Sequence, residues 1–188
     1  MILDRVTITG ADNSTSIRDL LDLSQAFPFV EWGILLSATQ EGAPRFPSEP
    51  HLDRVVAAAH TDGLQLSLHV CGRWVRQMLA GANPVQERYP GLWEIAPRVQ
   101  LNFHGMPHEY NPLEFLDLLR VSLDKQFIFQ LDGVNEAIFR GMLACGRTVA
   151  PLFDTSAGAG KLPEAWPKAD TGALYHGYAG GLGPETLP

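Results

Sequence analysis

Short apolar, β-branched runs alternate with helix-like runs along almost the whole chain. The first run contains VTIT and ends at a glycine, and similar runs recur at intervals of about 25–30 residues. Strands that alternate with helices at this spacing are typical of βα units, whose strands pair in parallel. The strands are predicted at Arg5–Gly10, Phe29–Ala38, Leu64–Val70, Arg98–Phe103, Phe127–Leu131, Thr148–Phe153 and Ala173–Ala179.

Helix signals fill the intervals between these strands. Apolar residues at helical spacing predict a first helix over Ser16–Ala26, with Asn13 or Ser14 as its N-cap. Ser48 as a cap and Gly63 as a stop predict a second helix. Further helices are predicted at Arg73–Leu79, after Asn111-Pro112 and over Asn135–Leu143, with an irregular stretch after Leu79.

Two architectures fit this alternation: a closed eight-stranded barrel and an open, doubly wound sheet. No GxGxxG follows the first strand, and AGAGK before Leu162 lacks the spacing of a P-loop. We therefore predict one (β/α)8 TIM-barrel-type domain over residues 1–188. Only seven strand signals are present, so the last βα unit is predicted to be missing from a C-terminally truncated chain.

Composition narrows the class of protein. A hydrophobic content of 45% with 19% charged residues is that of a globular domain, and a net charge of −7 argues against nucleic-acid binding. The two cysteines, far apart in sequence, form neither a disulfide scaffold nor a zinc motif. No apolar run is long enough to span a membrane and no signal peptide is evident, so a cytoplasmic protein is expected.

Polar or titratable side chains follow almost every predicted strand. In parallel βα folds the carboxyl ends of the strands meet at one edge, where ligands bind. Bringing carboxylates and imidazoles together there is costly, which favours a functional site over incidental contact with water. These residues are Thr9, Asp12, Ser37, Arg45, His69, Cys71, Arg73, Asn102, His104, Gln130, Asp132, Asp154, Thr155, His176 and Tyr178.

Two pairs of glycines add to this edge. Gly180 and Gly181 follow the seventh strand, where barrels often hold a phosphate at a helix N-terminus, although a tight turn is the alternative. Gly158 and Gly160 predict a flexible loop over the site or a plain surface loop.

Four segments resemble phosphoribosylanthranilate isomerase. PLFDTSAGAGKLPEAW, Pro151–Trp166, is similar to the family's sixth-strand segment with its glycine-rich loop, lysine and tryptophan. YAGGLGPETL, Tyr178–Leu187, is similar to the AGGL-type phosphate loop. VTITGAD stands where the family has its first K-I-C-G strand, and EGAPRFPSE, Glu41–Glu49, is similar to the loop with an arginine before S-P-E.

The resemblance implies an aldose–ketose isomerase that performs an Amadori rearrangement in tryptophan biosynthesis, with no metal and no organic cofactor. It assigns the general acid to Asp154. The phosphate would be held around Gly180 and Gly181, and Arg45 would bind substrate. Thr9, His69, His104 and Gly158 complete the expected substrate- and phosphate-binding set.

The family's catalytic base does not carry over. Its cysteine at the end of strand one corresponds to Thr9, whose hydroxyl has no useful basicity near neutral pH. By position, Asp12, Cys71 and Asp132 are the candidates for the base. Cys71 has His69 two residues before it, on the same side of a strand.

Two other functions stay open. A metal-dependent barrel lyase, epimerase or hydrolase could use His69, His104, Asp132, Asp154 and His176 as ligands, although no HxH or HExxH motif occurs. A non-catalytic sugar-phosphate-binding barrel is favoured by Thr9 in the position of the base. The expected partner is a phosphorylated sugar derivative, and the oligomeric state stays open, a homodimer included.

Overall fold

The computed structural model describes residues 4–102, 112–131, 136–144, 149–154, 156, 159–166, 168, 172–183 and 185–186. Strands and helices alternate in these ranges, as the sequence predicts. The strands are β1 Val6–Thr9, β2 Val30–Ser37, β3 Leu66–Cys71, β4 Arg98–Asn102, β5 Gln126–Leu131, β6 Val149–Phe153 and β7 Gly177–Tyr178. The helices are α1 Ile17–Ala26, α2 Glu49–Asp62, α3 Arg73–Leu79, α4 Pro84–Arg88, α5 Pro90–Ile95, α6 Pro112–Val121 and α7 Glu136–Ala144.

The seven strands form one sheet in the order of the sequence, and every neighbouring pair is parallel. The sheet curls into a half-barrel. This confirms the predicted α/β class with a parallel sheet. Sequential order excludes the doubly wound alternative, because that fold reverses its strand order at a switch point.

Local signals explain where several helices begin and end, and two predictions were wrong. Ser16, rather than Asn13 or Ser14, caps α1, because its hydroxyl accepts from the Asp19 amide. The predicted irregular stretch after Leu79 contains α4 and α5, each of which begins with a proline at the first helical position. Gly63 ends α2 in the left-handed conformation, as predicted.

The two faces of the sheet differ in character. The outer face packs against the helices and is apolar. It contributes a central part of the hydrophobic core, including Val30, Trp32, Ile34, Leu36, Leu66, Leu68, Val70, Val99, Leu101, Phe127, Phe129, Leu131, Val149 and Phe153. Successive side chains of a strand point to opposite faces, so the residues between these belong to the inner face.

The inner face is polar along much of the strands. Glu31, Ser67, His69, Gln100 and Gln130 are all buried, although the helices pack on the other face. Hydrogen bonds to Glu31, Gln100 and Gln130 lower the cost of burying these three side chains. Ser67 Oγ and His69 Nε2 have no hydrogen-bond partner among the described residues. The interior of a TIM barrel is usually filled by branched apolar side chains, so the polar character of this interior is a distinguishing feature.

Within the part of the chain that the structure describes, no helix combines the length and apolar character that crossing a membrane requires.

Candidate functional site

Asp154 stands directly after β6 and is buried, with 5% of its surface exposed. Gln130, near the end of β5, donates from Nε2 to one carboxylate oxygen of Asp154 at 2.8 Å. The other oxygen accepts from the Ser156 amide at 3.1 Å and from the Ser156 hydroxyl at 2.7 Å. These bonds fix the orientation of the carboxyl group at the carboxyl end of the sheet.

The turn of Gly180 and Gly181 lies beside Asp154. The Ala179 amide donates to the Phe153 carbonyl, which holds the chain after β7 against the end of β6. A Cβ added at Gly180 would stand 3.0 Å from an Asp154 carboxylate oxygen. The predicted acid and the predicted phosphate turn therefore share one edge of the sheet.

Backbone conformation and contacts within the chain explain why positions 180 and 181 are glycines. Their φ angles, 102° and 66°, lie in the left-handed region that favours glycine. A Cβ at Gly180 would stand 2.9 Å from the Lys161 carbonyl oxygen, and a Cβ at Gly181 would stand 2.5 Å from the Leu162 nitrogen. The loop at residues 160–162 thus covers one side of the turn, and a ligand on that side would have to displace it.

Arg45 lies at the same end of the sheet, on the loop after β2. Its backbone amide donates to Asp12 Oδ2 at 2.7 Å. Its side chain crosses Gly10, because a Cβ added there would stand 3.0 Å from Arg45 Nε. Among the described residues, no carboxylate forms an ion pair with its exposed guanidinium, which leaves that cation available to an anion.

Asp12 serves as a hydrogen-bond acceptor for two loops. Bonds from the Ser14 hydroxyl, the Arg45 amide and the Ser14 amide lower the pKa of Asp12 to about 2. A carboxylate with this pKa is a weak base. Asp12, one of the three residues predicted as the base, therefore acts as a structural acceptor that joins the loops after β1 and β2.

His69 and Thr9 meet over Gly33 on the inner face. A Cβ at Gly33 would stand 2.5 Å from Thr9 Cγ2 and 2.8 Å from His69 Nε2, so only glycine leaves room for both side chains. Burial, with smaller contributions from Arg98 and Arg45, lowers the pKa of His69 to about 3. Its Nε2 is enclosed and has no hydrogen-bond partner in the part of the chain that the structure describes. His69 is thus a neutral side chain beneath the edge, rather than on it.

Cys71 ends β3 and is partly exposed. Asn102 Nδ2 donates to its sulfur at 3.1 Å, and Gln100 Nε2 donates to Asn102 Oδ1 at 2.7 Å. Burial raises the pKa of the Cys71 thiol, while the Asn102 bond and the charge of Arg45 partly offset that effect. The group is accordingly a neutral thiol near neutral pH.

Four residues that the sequence predicted at this edge have not yet been placed. His104, Asp132 and Gly158 lie outside the described residues. His176 packs edge-on against Tyr178, with ring centroids 5.8 Å apart. In the ranges that the structure describes, no three His, Cys, Asp or Glu side chains are close enough together to hold a metal ion.

Sequence reasoning missed Gln100 and Ser156, which orient Asn102 and Asp154. Gln100 follows the period of two on β4, where polar and apolar residues alternate, so this pattern is the signal that could have identified it. Ser156 lies two residues after an aspartate, a spacing that favours a local side-chain turn.

A cavity of about 260 Å³ opens at the opposite end of the sheet, where Arg5, Glu31, Gln65 and Arg98 contribute to its wall. None of the edge residues named above lines it.

Comparison with protein-family models, with curated proteins and with solved structures gave no match in any of the three.

Proposed function

We propose that this protein is an isomerase-like enzyme acting on a phosphorylated sugar derivative, built on a TIM-barrel-type sheet. The observation that carries the proposal is the contact between the buried Asp154 carboxyl group and the Gly180 turn at the carboxyl ends of β6 and β7. The sequential parallel order and the curl of the sheet support the barrel type. The segments similar to phosphoribosylanthranilate isomerase support the reaction class.

In the proposed reaction, the substrate is an aminoaldose phosphate in its ring form. Asp154, in its protonated form, donates a proton to the ring oxygen as the bond from that oxygen to C1 breaks, which leaves an iminium at C1. A base removes the proton on C2, and the electron pair of that bond neutralises the iminium to give an enaminol. Tautomerisation to the ketone returns a proton to C1, so C1 is reduced and C2 oxidised without an external oxidant or reductant.

We assign the base to Cys71, which ends β3 at the carboxyl end of the sheet. Asp12 is committed to the Ser14 and Arg45 bonds, whereas Asp132, which lies outside the described residues, stays the alternative candidate. Because burial raises the pKa of the thiol, the active thiolate forms only at alkaline pH.

The phosphate is assigned to one of two groups at this end of the sheet, the Arg45 guanidinium or the backbone N–H groups of Gly180 and Gly181. Arg45 supplies a cation that no described carboxylate neutralises, and a guanidinium matches the geometry of a phosphate. Binding on the side of the glycine turn that residues 160–162 cover requires this loop to move, because its backbone lies against the turn there.

The test is turnover of a panel of aminoaldose and aldose phosphates by the full chain. Asp154→Asn should lower the rate by about two to four orders of magnitude, the usual range for loss of a general acid. Asp53→Asn, which changes an exposed carboxylate on α2, serves as the control and should leave the rate unchanged. Turnover that survives Asp154→Asn would show that the acid is misassigned.

One observation favours a binding protein instead. The Cys71 thiol is neutral, and Thr9 stands where phosphoribosylanthranilate isomerases, which the sequence resembles, have their base. None of the described candidates is therefore a ready base near neutral pH. Sugar phosphates that bind tightly without turnover between pH 6 and pH 10 would favour this second function. Binding weakened by Arg45→Gln would place the ligand at the same edge.

A further inference from the structure

Arg45 is held in a backbone conformation that non-glycine residues rarely adopt. Its φ of 71° is the one positive φ among the described residues that are not glycine. The left-handed region brings Cβ close to the following carbonyl oxygen, so a side chain stays there only if its surroundings hold it. Strain of this kind gathers at functional sites, and here it falls on a cation with no ion-pair partner among the described carboxylates.

Residues 38–48 form the loop that carries Arg45. Hydrogen bonds fasten one side of this loop to the loop after β1. Asp12 Oδ2 accepts from the Arg45 amide at 2.7 Å. Asn13 Oδ1 accepts from both the amide and the hydroxyl of Ser48, at 2.9 and 3.0 Å. The Ser48 hydroxyl, expected from the sequence to cap α2, makes no capping bond to that helix.

On its second side, the same loop is fastened through Glu41. Its Oε2 accepts from the Tyr89 hydroxyl at 2.9 Å, and its Oε1 accepts from the Glu49 amide at 3.1 Å, at the start of α2. Arg88 adds an ion pair to Glu49 and lies 3.6 Å from Glu41 Oε2. The guanidinium of Arg88 also stands over the Tyr89 ring, 5.0 Å from its centroid.

Tyr89 is a rigid anchor for this side. It is buried except for 8% of its surface, and it joins α4 to α5. Its ring meets Trp74 edge-on at 6.0 Å. The Glu41 carboxylate is thus bonded to a side chain that belongs to the core, whereas most exposed acidic side chains on a loop move freely.

We propose that Glu41 and Tyr89 are positioning residues, which keep the loop strained so that the Arg45 guanidinium stands ready for an anion at the edge of the sheet. The anion itself rests on the proposed function. The fastening of the loop does not, and the two parts are measured separately. Fastening lowers the ordering cost of binding, so losing it should weaken anion affinity and leave the chemical step unchanged.

The fastening is tested by limited trypsin digestion of the full chain. Trypsin cleaves after arginine, and the bond between Arg45 and Phe46 lies within the loop. In Tyr89→Phe and Glu41→Gln, cleavage at this bond should be several-fold faster than in the parent protein, followed by mass spectrometry. Tyr175→Phe and Glu114→Gln remove a hydroxyl and a charge from exposed side chains elsewhere and should leave this rate unchanged. Equal cleavage rates in all the proteins would overturn the fastening.

The positioning is tested with inorganic phosphate by isothermal titration. We expect its dissociation constant to rise about tenfold in Tyr89→Phe, the equivalent of one side chain that must be ordered on binding. If turnover is found, KM should rise by the same factor while kcat stays constant. Faster cleavage with unchanged phosphate affinity would overturn the positioning role. A parent protein that binds neither phosphate nor sugar phosphates would overturn the proposed function, while the trypsin result would still decide whether the loop is fastened.

Discussion

The outer and inner faces of the sheet are built from alternate residues of the same strands, yet different interactions stabilise them. On the outer face Phe129 meets the rings of Phe115 and Phe139 at 5.7 and 6.3 Å. On the inner face Glu31 accepts a hydrogen bond from Thr7 and pairs with Arg98, whose Nη1 lies 3.4 Å away. Apolar contact fixes the fold on one side, and directional bonds fix the positions of polar groups on the other.

This contrast separates the stability of the fold from the chemistry of the edge. An apolar face tolerates exchange among side chains of similar volume, because its contacts are not directional. A buried polar group needs a specific partner, and removing one partner leaves the other unsatisfied. Substitutions on the outer face should therefore destabilise the fold through lost packing, and substitutions on the inner face through lost or obstructed specific contacts.

The largest effect is expected on the outer face. Phe129→Ala removes a fully buried ring and should lower the free energy of unfolding by about 3–5 kcal/mol. Phe27→Ala, where the ring is 48% exposed, is the matched control and should cost much less. Denaturant unfolding followed by circular dichroism measures both. A similar loss in the two variants would contradict the assignment of the outer face as the main source of stability.

On the inner face, Gly33→Ala should cost about 1–3 kcal/mol, because it overpacks the space between Thr9 and His69. The same measurement on Gly33→Ala combined with Thr9→Ser should recover part of this loss, since that change removes the Thr9 methyl group. Gly91→Ala, where the nearest contact would be 3.6 Å from Val56, is the control and should be neutral. Absence of recovery in the double variant would mean that Thr9 does not limit the space.

The pH dependence of stability tests the buried imidazole. The pKa of His69 falls to about 3 in the folded protein, from 6.5, so the unfolded chain binds the extra proton between these values. Stability should therefore fall as the pH drops from 6.5 towards 3, by up to about 1.4 kcal/mol per pH unit. In His69→Gln this contribution should disappear, whereas His60→Gln, on an exposed face of α2, should retain it. Urea titrations at a series of pH values distinguish the two.

The smallest effect is expected at the surface, where Asp12 holds the Arg45 amide. The pKa of Asp12 is about 2 rather than 3.8, so its contribution is present above pH 3.8 and is lost as the pH falls towards 2. Amide exchange at Arg45 should lose protection over this window. Asp12→Ala should show the same loss already at pH 6, while Asp53→Ala should not. Unchanged protection in Asp12→Ala would show that other contacts alone hold the loop.

The sequence predicted the order of the strands and of every described helix except α4 and α5, because its signals are local. The β-branched runs, the proline starts and the glycine stop at Gly63 act through neighbouring residues, and the parallel sheet follows from their alternation. It also predicted that Asp154 and the Gly180–Gly181 turn would share an edge, since the carboxyl ends of parallel strands lie together. The resemblance to an isomerase family and the reaction that it implies stay predictions.

The bonds that orient the candidate site were not predictable in the same way. Asp12, a candidate base by position, accepts from a residue 33 positions away, and Glu41 accepts from a residue 48 positions away. The glycines at 180 and 181 suggested the approach of a ligand, and the structure shows the approach of the loop at 160–162. A glycine in the sequence indicates that another group can come close to the backbone, but it does not indicate which group does so.

The sequence by itself determined the alternation of strands and helices, the apolar residues of the outer face and the polar residues at the strand ends. These are properties of hydrophobic periodicity and backbone preference, which act over a few residues. Only the tertiary structure decided that the inner face is a buried polar interior, that His69 lies beneath the edge and that Arg45 is held in a left-handed conformation. Burial, pKa and strain depend on groups brought together from distant parts of the chain, and they arise only when the sheet curls and its loops meet.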